Sequence, residues 1–162
     1  MVRLAPLSAA DLDKLANGAS TFRGLVIAKG SLSAPEVLAV LRDVSSAAVQ
    51  VAPIAWLVIE DEAVVGMISF TRFVSCEGNV SQDDRRDFGY LIAPGHRGRG
   101  IATRAIAAFV EIARDRGLKV LTAETDRSNP ASQRVLTKNG FTASSAPADS
   151  VGQEVILWSL DL

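Results

Sequence analysis

Residues 87–102 read DFGYLIAPGHRGRGIA. An apolar run of strand type over 87–93 stops at Pro94-Gly95, and a helix is expected over 98–116. In that helix Ile101, Ala105, Ala108, Phe109 and Ile112 line one face, Arg104, Glu111 and Arg114 fall mostly on the other, and Gly117 is placed to end it. Two glycines at a helix start allow backbone N–H groups to approach a ligand closely, and the positive end of the helix dipole favours an anion there, phosphate above all. Arg97 and Arg99 would add charge-assisted contacts. The plainer alternative is a turn with solvated arginines.

Upstream, residues 2–7 read as a short strand, and Ser8 with Asp11 three residues later opens a helix carrying Leu12, Leu15 and Ala16. A second helix begins after Ser33, with Pro35 in its first turn and Val37, Leu38, Val40, Leu41 and Val44 at helical spacing, and runs to about Val49. The pattern then becomes β-branched, giving strands at 54–60 and 64–74 joined by a short polar connection at 61–63 as an antiparallel hairpin. Residues 75–86 are polar and read as a loop. Downstream come a strand at 119–126, a helix at 129–139 stopped by Gly140, and two strands near Phe141 and at 155–160. The order β-α-α-β-β-β-α-β-α-β-β is an α/β arrangement of the α+β type in one domain, residues 1–162, without repeats or linkers.

The apolar fraction of 48% and charged fraction of 22% suit a globular chain. With 17 basic and 18 acidic residues there is no global positive field for nucleic acid, so an anion site has to be local. The arginines around the 98–116 helix lack interleaved aromatics, which also argues against a nucleic-acid strand. The apolar stretches are shorter than the roughly 20 residues that span a bilayer, and the N-terminal residues lack the pattern of a secretory signal. The expectation is a cytoplasmic protein with no membrane partner. A single cysteine, Cys76, forms no intrachain disulfide, and the single histidine, His96, sits in the glycine turn, so neither a cysteine hydrolase nor a Cys/His metal centre is expected.

A P-loop would need Gly-Lys-Ser/Thr, which is absent. A dinucleotide fingerprint wants Gly or Ala where Thr103 stands, and opens a parallel βαβ unit rather than following antiparallel strands. Arg97, Gly100 and Ala102 instead occupy the fixed positions of Gln/Arg-x-x-Gly-x-Gly/Ala. Residues 87–94 look like the strand before that loop, and Asn129-Pro-Ala-Ser132, Lys138 and Gly140-Phe141 resemble a later Asn-x-x-Ser…Lys-x-Gly-Phe motif. On these residues the chain resembles the GNAT superfamily of N-acetyltransferases along nearly its whole length, and within it the branch containing ribosomal-protein N-terminal alanine acetyltransferases.

The resemblance implies a mixed, mostly antiparallel sheet of about 6–7 strands with about 4 helices, splayed between the strands at 87–93 and 119–126. It implies acetyl-CoA as acyl donor, with no metal. Leu91, Ile92 and Ala93 would flank pantetheine, and Arg97, Gly98, Arg99, Gly100, Ile101, Ala102 and Thr103 would hold pyrophosphate. Ser132 would donate a proton to the leaving thiolate while Asn129 binds cofactor or orders water. Asn129 is also a good N-cap before Pro130, with Ser132 as its support. Many family members carry a tyrosine seven residues after the asparagine, where this chain has Leu136. A backbone N–H near Ile92 would polarise the thioester carbonyl.

An amine with a pKa near ~10.4 is mostly protonated at neutral pH, so attack needs a proton acceptor, direct or through water. Glu124 and Asp87 are the candidates, on the two strands that should border the reacting carbon, with Glu124 preferred; each is otherwise a strand-end acid in a surface ion pair. With no credible covalent nucleophile, the expected reaction is direct attack by a primary amine, of a protein N-terminus or a small molecule, in a ternary complex. The rival readings are an acyl-CoA-binding module without catalysis and, further off, a dinucleotide-binding enzyme. The acceptor carries no motif, and assembly as a homodimer stays open.

Overall fold

The structure, a computed structural model, describes residues 1–47, 53–71, 85–145 and 155–162. Among these residues the strands are β1 (Val2–Pro6), β2 (Thr21–Phe22), β3 (Leu25–Ile27), β4 (Ala55–Glu60), β5 (Ala63–Phe70), β6 (Arg85–Ile92), β7 (Val120–Asp126), β8 (Thr142–Ser145) and β9 (Val155–Asp161). The α-helices among the described residues are α1 (Ala9–Ala16), α2 (Pro35–Ala47), α3 (Ile101–Asp115) and α4 (Pro130–Lys138). The sheet runs β1-β4-β5-β6-β7-β9-β8, with the small β2–β3 hairpin attached to β5. Pairing is antiparallel except between β6 and β7 and between β3 and β5. This is the mixed sheet with four flanking helices that the motifs imply, carrying two short strands more.

Those two strands are absent from the sequence reading because they are two and three residues long, below the length at which a period of two shows. Their signal is the turn between them, Arg23 (φ 49°) and Gly24 (φ 82°). The β4–β5 connection is likewise tighter than expected: Asp61 (φ 46°) and Glu62 (φ 64°) form the turn and Ala63 already belongs to β5. β6 starts at Arg85, inside the segment read as loop. The far ends expected for α2 and β5, most of that loop and Cys76 lie outside the described residues.

Local chemistry explains the elements. Ser8 and Asp11 close a capping box on α1: Asp11 N–H donates to Ser8 Oγ at 3.1 Å and Ser8 N–H to Asp11 Oδ2 at 3.0 Å. β4 reads AWLVIE and is buried at every position, as an interior strand covered on both faces must be. Gly66 on β5 is compelled by contact, since a Cβ there would lie 2.4 Å from the Leu91 carbonyl oxygen. The backbones of β5 and β6 therefore approach where β6 nears its end.

Helix α3 is held by aromatic packing. Phe109 meets Trp56 at 5.2 Å, Phe70 at 5.4 Å and Phe88 at 5.2 Å between ring centroids, and Phe88 also meets Phe141 at 5.7 Å. Each such pair contributes roughly 0.5–1.5 kcal/mol beyond the area it buries. One helix is thus fixed against β4, β5 and β6, and its N-terminus has little freedom to move relative to the end of β6.

β6 and β7 pair only at Arg85↔Val120, Arg86↔Leu121 and Asp87↔Thr122. Past Asp87 no ladder joins them, while β6 stays paired with β5 as far as Ile92 and β7 with β9 as far as Asp126. The two strands diverge like the arms of a V.

Candidate active site

Backbone direction within the V follows from two hydrogen bonds. Thr71 N–H donates to the Asp87 carbonyl (2.9 Å) and Ala93 N–H to that of Val65 (2.8 Å), so the odd-numbered residues of β6 turn their backbone groups toward β5. By alternation Phe88, Tyr90 and Ile92 turn theirs toward β7, into the gap. The Ile92 carbonyl is already taken, accepting from Arg97 Nε at 2.9 Å. The Tyr90 and Ile92 N–H groups face a space with no strand opposite.

After β6 a single 3₁₀ turn (Pro94–His96) leads into the glycine loop. Gly98 (φ 77°) and Gly100 (φ 71°) both adopt the left-handed conformation that side chains resist. Gly100 is the N-cap of α3 and supplies no side-chain cap, so the first-turn amides of that helix remain open to a ligand. At α4 the opposite holds: the Asn129 side chain accepts from Ser132 N–H at 3.1 Å, with Pro130 in the first turn.

These pieces enclose a cleft of about 460 Å³. Leu91 and Ile92 of β6 line it, with Arg97, Gly98, Gly100, Ile101, Ala102 and Thr103 around the helix start and Asn129 and Ser132 from α4. Ala93 and Arg99 do not. Ala93 is buried and bonded to β5, and Arg99 turns its guanidinium to the Glu60 carboxylate at 3.1 Å and to His96 Nδ1 at 3.3 Å. Glu60, 7% exposed, also holds Arg104 at 2.9 Å.

Six further residues line the cleft that the sequence reading did not assign: Tyr90, His96, Ala131, Arg134, Val135 and Lys138. Four have a signal in hindsight. Ala131, Arg134, Val135 and Lys138 recur at helical spacing beside Ser132, so a projection of α4 places them on one face. With Arg97 they make the cleft cationic, and open amides, three long cations and an unpaired strand edge together suit an elongated, phosphorylated ligand.

The proton-transfer candidates separate by sheet face. Arg86 registers with Leu121 and Asp87 with Thr122, so Leu121, Ala123 and Thr125 share the face of Phe88 and Tyr90. Asp87 and Glu124 lie together on the opposite face, one on each arm of the V, and neither lines the cleft. Glu124 is exposed and Asp87 half-buried. Leu136, at the position where many relatives carry tyrosine, is fully buried beneath α4. Burial pushes the Tyr90 phenol above its ordinary range, and the neighbouring Ser132 hydroxyl offsets this in part. No hydrogen bond of good geometry reaches the Tyr90 oxygen among the described residues.

A strand pair opened beside an uncapped helix start offers two sets of unpaired backbone groups to one cleft, an arrangement suited to a phosphorylated ligand. The family model described as the acetyltransferase (GNAT) domain matches residues 2–142, and the chain belongs to that family. Solved structures with the same fold include the ribosomal-protein-S5-alanine acetyltransferase from Vibrio fischeri, at 15% identity and a TM-score of 0.71, covering 99% of this chain and 92% of that one. They also include a putative acetyltransferase from Salmonella typhimurium solved with acetyl-CoA (19% identity, TM-score 0.69, 99% and 94% covered). An aminoglycoside acetyltransferase in complex with coenzyme A aligns at 18% identity and a TM-score of 0.66, with 99% and 95% covered. None of the curated protein sequences compared with the chain matches it. Among the described residues no helix is long and apolar enough to cross a membrane.

Proposed function

We propose that this chain transfers the acetyl group of acetyl-CoA to a primary amine, of a protein N-terminus or a small molecule, by direct attack in a ternary complex. The observation that carries this reading is the V between β6 and β7: a cleft with a phosphate-binding helix start at its mouth and free strand amides along one wall. The amides of Gly98, Gly100, Ile101 and Ala102 would take the pyrophosphate, with Arg97 adding charge. Arg134 and Lys138 stand where further phosphate oxygens would lie. Leu91 and Ile92 would flank the pantetheine, whose amides would pair with the β6 edge at Tyr90 and Ile92, and the Ile92 N–H would polarise the thioester carbonyl as negative charge develops on its oxygen.

The amine then approaches from the opposite face of the sheet, where Glu124 and Asp87 flank the gap. Its proton passes to one of these carboxylates, directly or through water, as the C–N bond forms. The C–S bond breaks on the cleft side, where Ser132, one of the lining residues, would donate to sulfur. Likeness in fold to acetyltransferases acting on ribosomal protein and on aminoglycoside supports an amine acceptor and leaves its identity open.

Titration calorimetry with acetyl-CoA, followed by free-thiol release across a panel of amines and N-terminal peptides, tests the reading. Saturable binding with amine-dependent thiol release is expected. Absence of binding overturns the proposal, and tight binding without release on any amine points to the non-catalytic acyl-CoA module.

A further inference from the structure

Gly89 lies inside β6, where a strand position without a side chain weakens the strand and calls for a reason. The usual structural reasons are absent. Its backbone is not left-handed, unlike that of Gly98 and Gly100. It marks no bulge, because β5 and β6 pair in continuous register from Gly66↔Ile92 to Phe70↔Phe88. No backbone crowds it: among the described residues a Cβ there would meet the Thr71 side-chain methyl at 3.1 Å, whereas at Gly66 the obstacle is a carbonyl at 2.4 Å. Thr71 is exposed, so its side chain can turn aside. A further reason for glycine within a strand is a ligand that passes close to the backbone.

The place suits one. Phe88 packs against Phe109 of α3, so Asp87, Gly89 and Leu91 follow one another on the opposite face of β6, each half-buried. Asp87 is the last residue of β6 paired with β7, and Leu91 already lines the cleft, so between them the open V joins the two sides of the sheet. Gly89 stands midway between a carboxylate and the cleft, with Ser69 directly across from it on β5.

We propose, resting on the acetyl-transfer reading above, that Gly89 is a specificity-determining residue for the acceptor: it is the floor over which the amine and the carbon bearing it pass from the carboxylate side to the thioester. A side chain at this position would stand in that path and select acceptors by their bulk beside the nitrogen. Gly89 makes and breaks no bond; its part is to leave the approach clear. Selection of the amine by size thus resides on β6, apart from the glycine loop and α4, which hold the donor.

The test uses the full chain and the amine of the panel that it acetylates fastest. The variants are G89A, G89V and G89A/T71S, the last of which removes the methyl that an added Cβ would crowd. G89A should keep or raise Tm, as alanine does where the backbone accepts it. It should leave the acetyl-CoA KM within about two-fold and raise the KM of the amine about ten-fold, the low end of what one methylene group is worth in substrate discrimination. G89V should raise the amine KM further, and T71S should not restore it in the G89A background. If G89A uses the amine as the wild type does, or loses activity together with Tm, or raises both KM values alike, or recovers in G89A/T71S, then Gly89 serves packing alone and its role is overturned while acetyl transfer stands. If no amine supports thiol release, both proposals fall together.

Discussion

Arg97 donates from Nε to the carbonyl of Ile92 at 2.9 Å, which ties the glycine loop back to the end of the strand it follows. The bond occupies one edge of the guanidinium and leaves its terminal nitrogens for an anion in the cleft. Lysine can supply the charge, but a point ammonium cannot hold the carbonyl and the phosphate together in a fixed fork. Both Arg97→Ala and Arg97→Lys are therefore expected to weaken acetyl-CoA binding, by on the order of ten-fold, given about 1.5–3 kcal/mol for hydrogen bonds to a charged group. Calorimetry reads this directly, and a fully competent lysine variant would show that charge alone suffices.

Glu60 makes a different prediction, because its two arginines lie outside the cleft lining or turn away from it. Its carboxylate is buried while Arg99 and Arg104 are about half exposed (51% and 50%). Replacing Glu60 by Gln removes the charge that both arginines converge on, at an expected cost of about 1–3 kcal/mol. Denaturant unfolding should show the loss. Affinity for acetyl-CoA should change little, and a large fall in affinity with unchanged stability would mean that Glu60 acts on the ligand instead.

Much of this geometry is legible in the sequence where local chemistry dictates it. The 3.6-residue period of α3, the Ser8–Asp11 capping box, Asn129 before Pro130 and the glycines around Arg97 each have one dominant local solution, and each is realised. Arg99 is less readable: its partner Glu60 is 39 residues away in the chain and is brought near only by the register of β4 in the sheet. The V is also hidden, since the apolar pattern of β6 continues unbroken past Asp87 where its pairing with β7 stops. Tyr90 looks like any aromatic in a strand until the fold puts it in the wall of the cleft.

Gly66 and Gly100 separate two reasons for lacking a side chain. At Gly66 an alanine Cβ would collide with the Leu91 carbonyl at 2.4 Å, so β5 and β6 must part. At Gly100 the obstacle is the left-handed backbone, worth roughly 1–2 kcal/mol, together with Arg104 Nη1 at 3.2 Å from the added Cβ. Gly66→Ala is expected to be the more destabilising. Gly100→Ala should lower Tm by about 2–8 °C, at 2–4 °C per kcal/mol for a chain of this size. Thermal unfolding of both variants decides the order, and the reverse ranking would mean that the β5–β6 contact relaxes freely.

Tyr90 predicts an alkaline effect with a definite sign. Its folded value is raised above 10.0, so the folded state retains the phenolic proton more firmly than the unfolded chain does. The corresponding stabilisation is fully present below the unfolded value and is lost as pH rises through the folded one. As the chain has no other tyrosine, phenolate absorbance reports this group alone. It should appear only above pH 10 in the native protein and move lower on unfolding in urea. A native titration at or below the ordinary value would mean that the hydroxyl is hydrated.

Glu124 and Asp87 lie across the sheet from the cleft, and that separation fixes how their variants should behave. Neither residue lines the cleft in which the donor is proposed to sit, so Glu124→Gln and Asp87→Asn should leave acetyl-CoA affinity unchanged. The losses should appear in kcat. On β7, Glu124 is exposed on the arm that leaves the pairing, where an incoming ammonium can reach it. Asp87 stands at the apex, where its backbone still bonds Thr71 and the arms have not yet parted. The larger effect is therefore expected at Glu124, a fall in kcat of about a hundred-fold, the low end of general-base catalysis for a solvent-exposed group. Steady-state thiol release with saturating acetyl-CoA measures it. Full activity in both variants on an accepted amine would assign the proton to water, and a rise in acetyl-CoA KM in either would place that carboxylate on the donor side of the sheet.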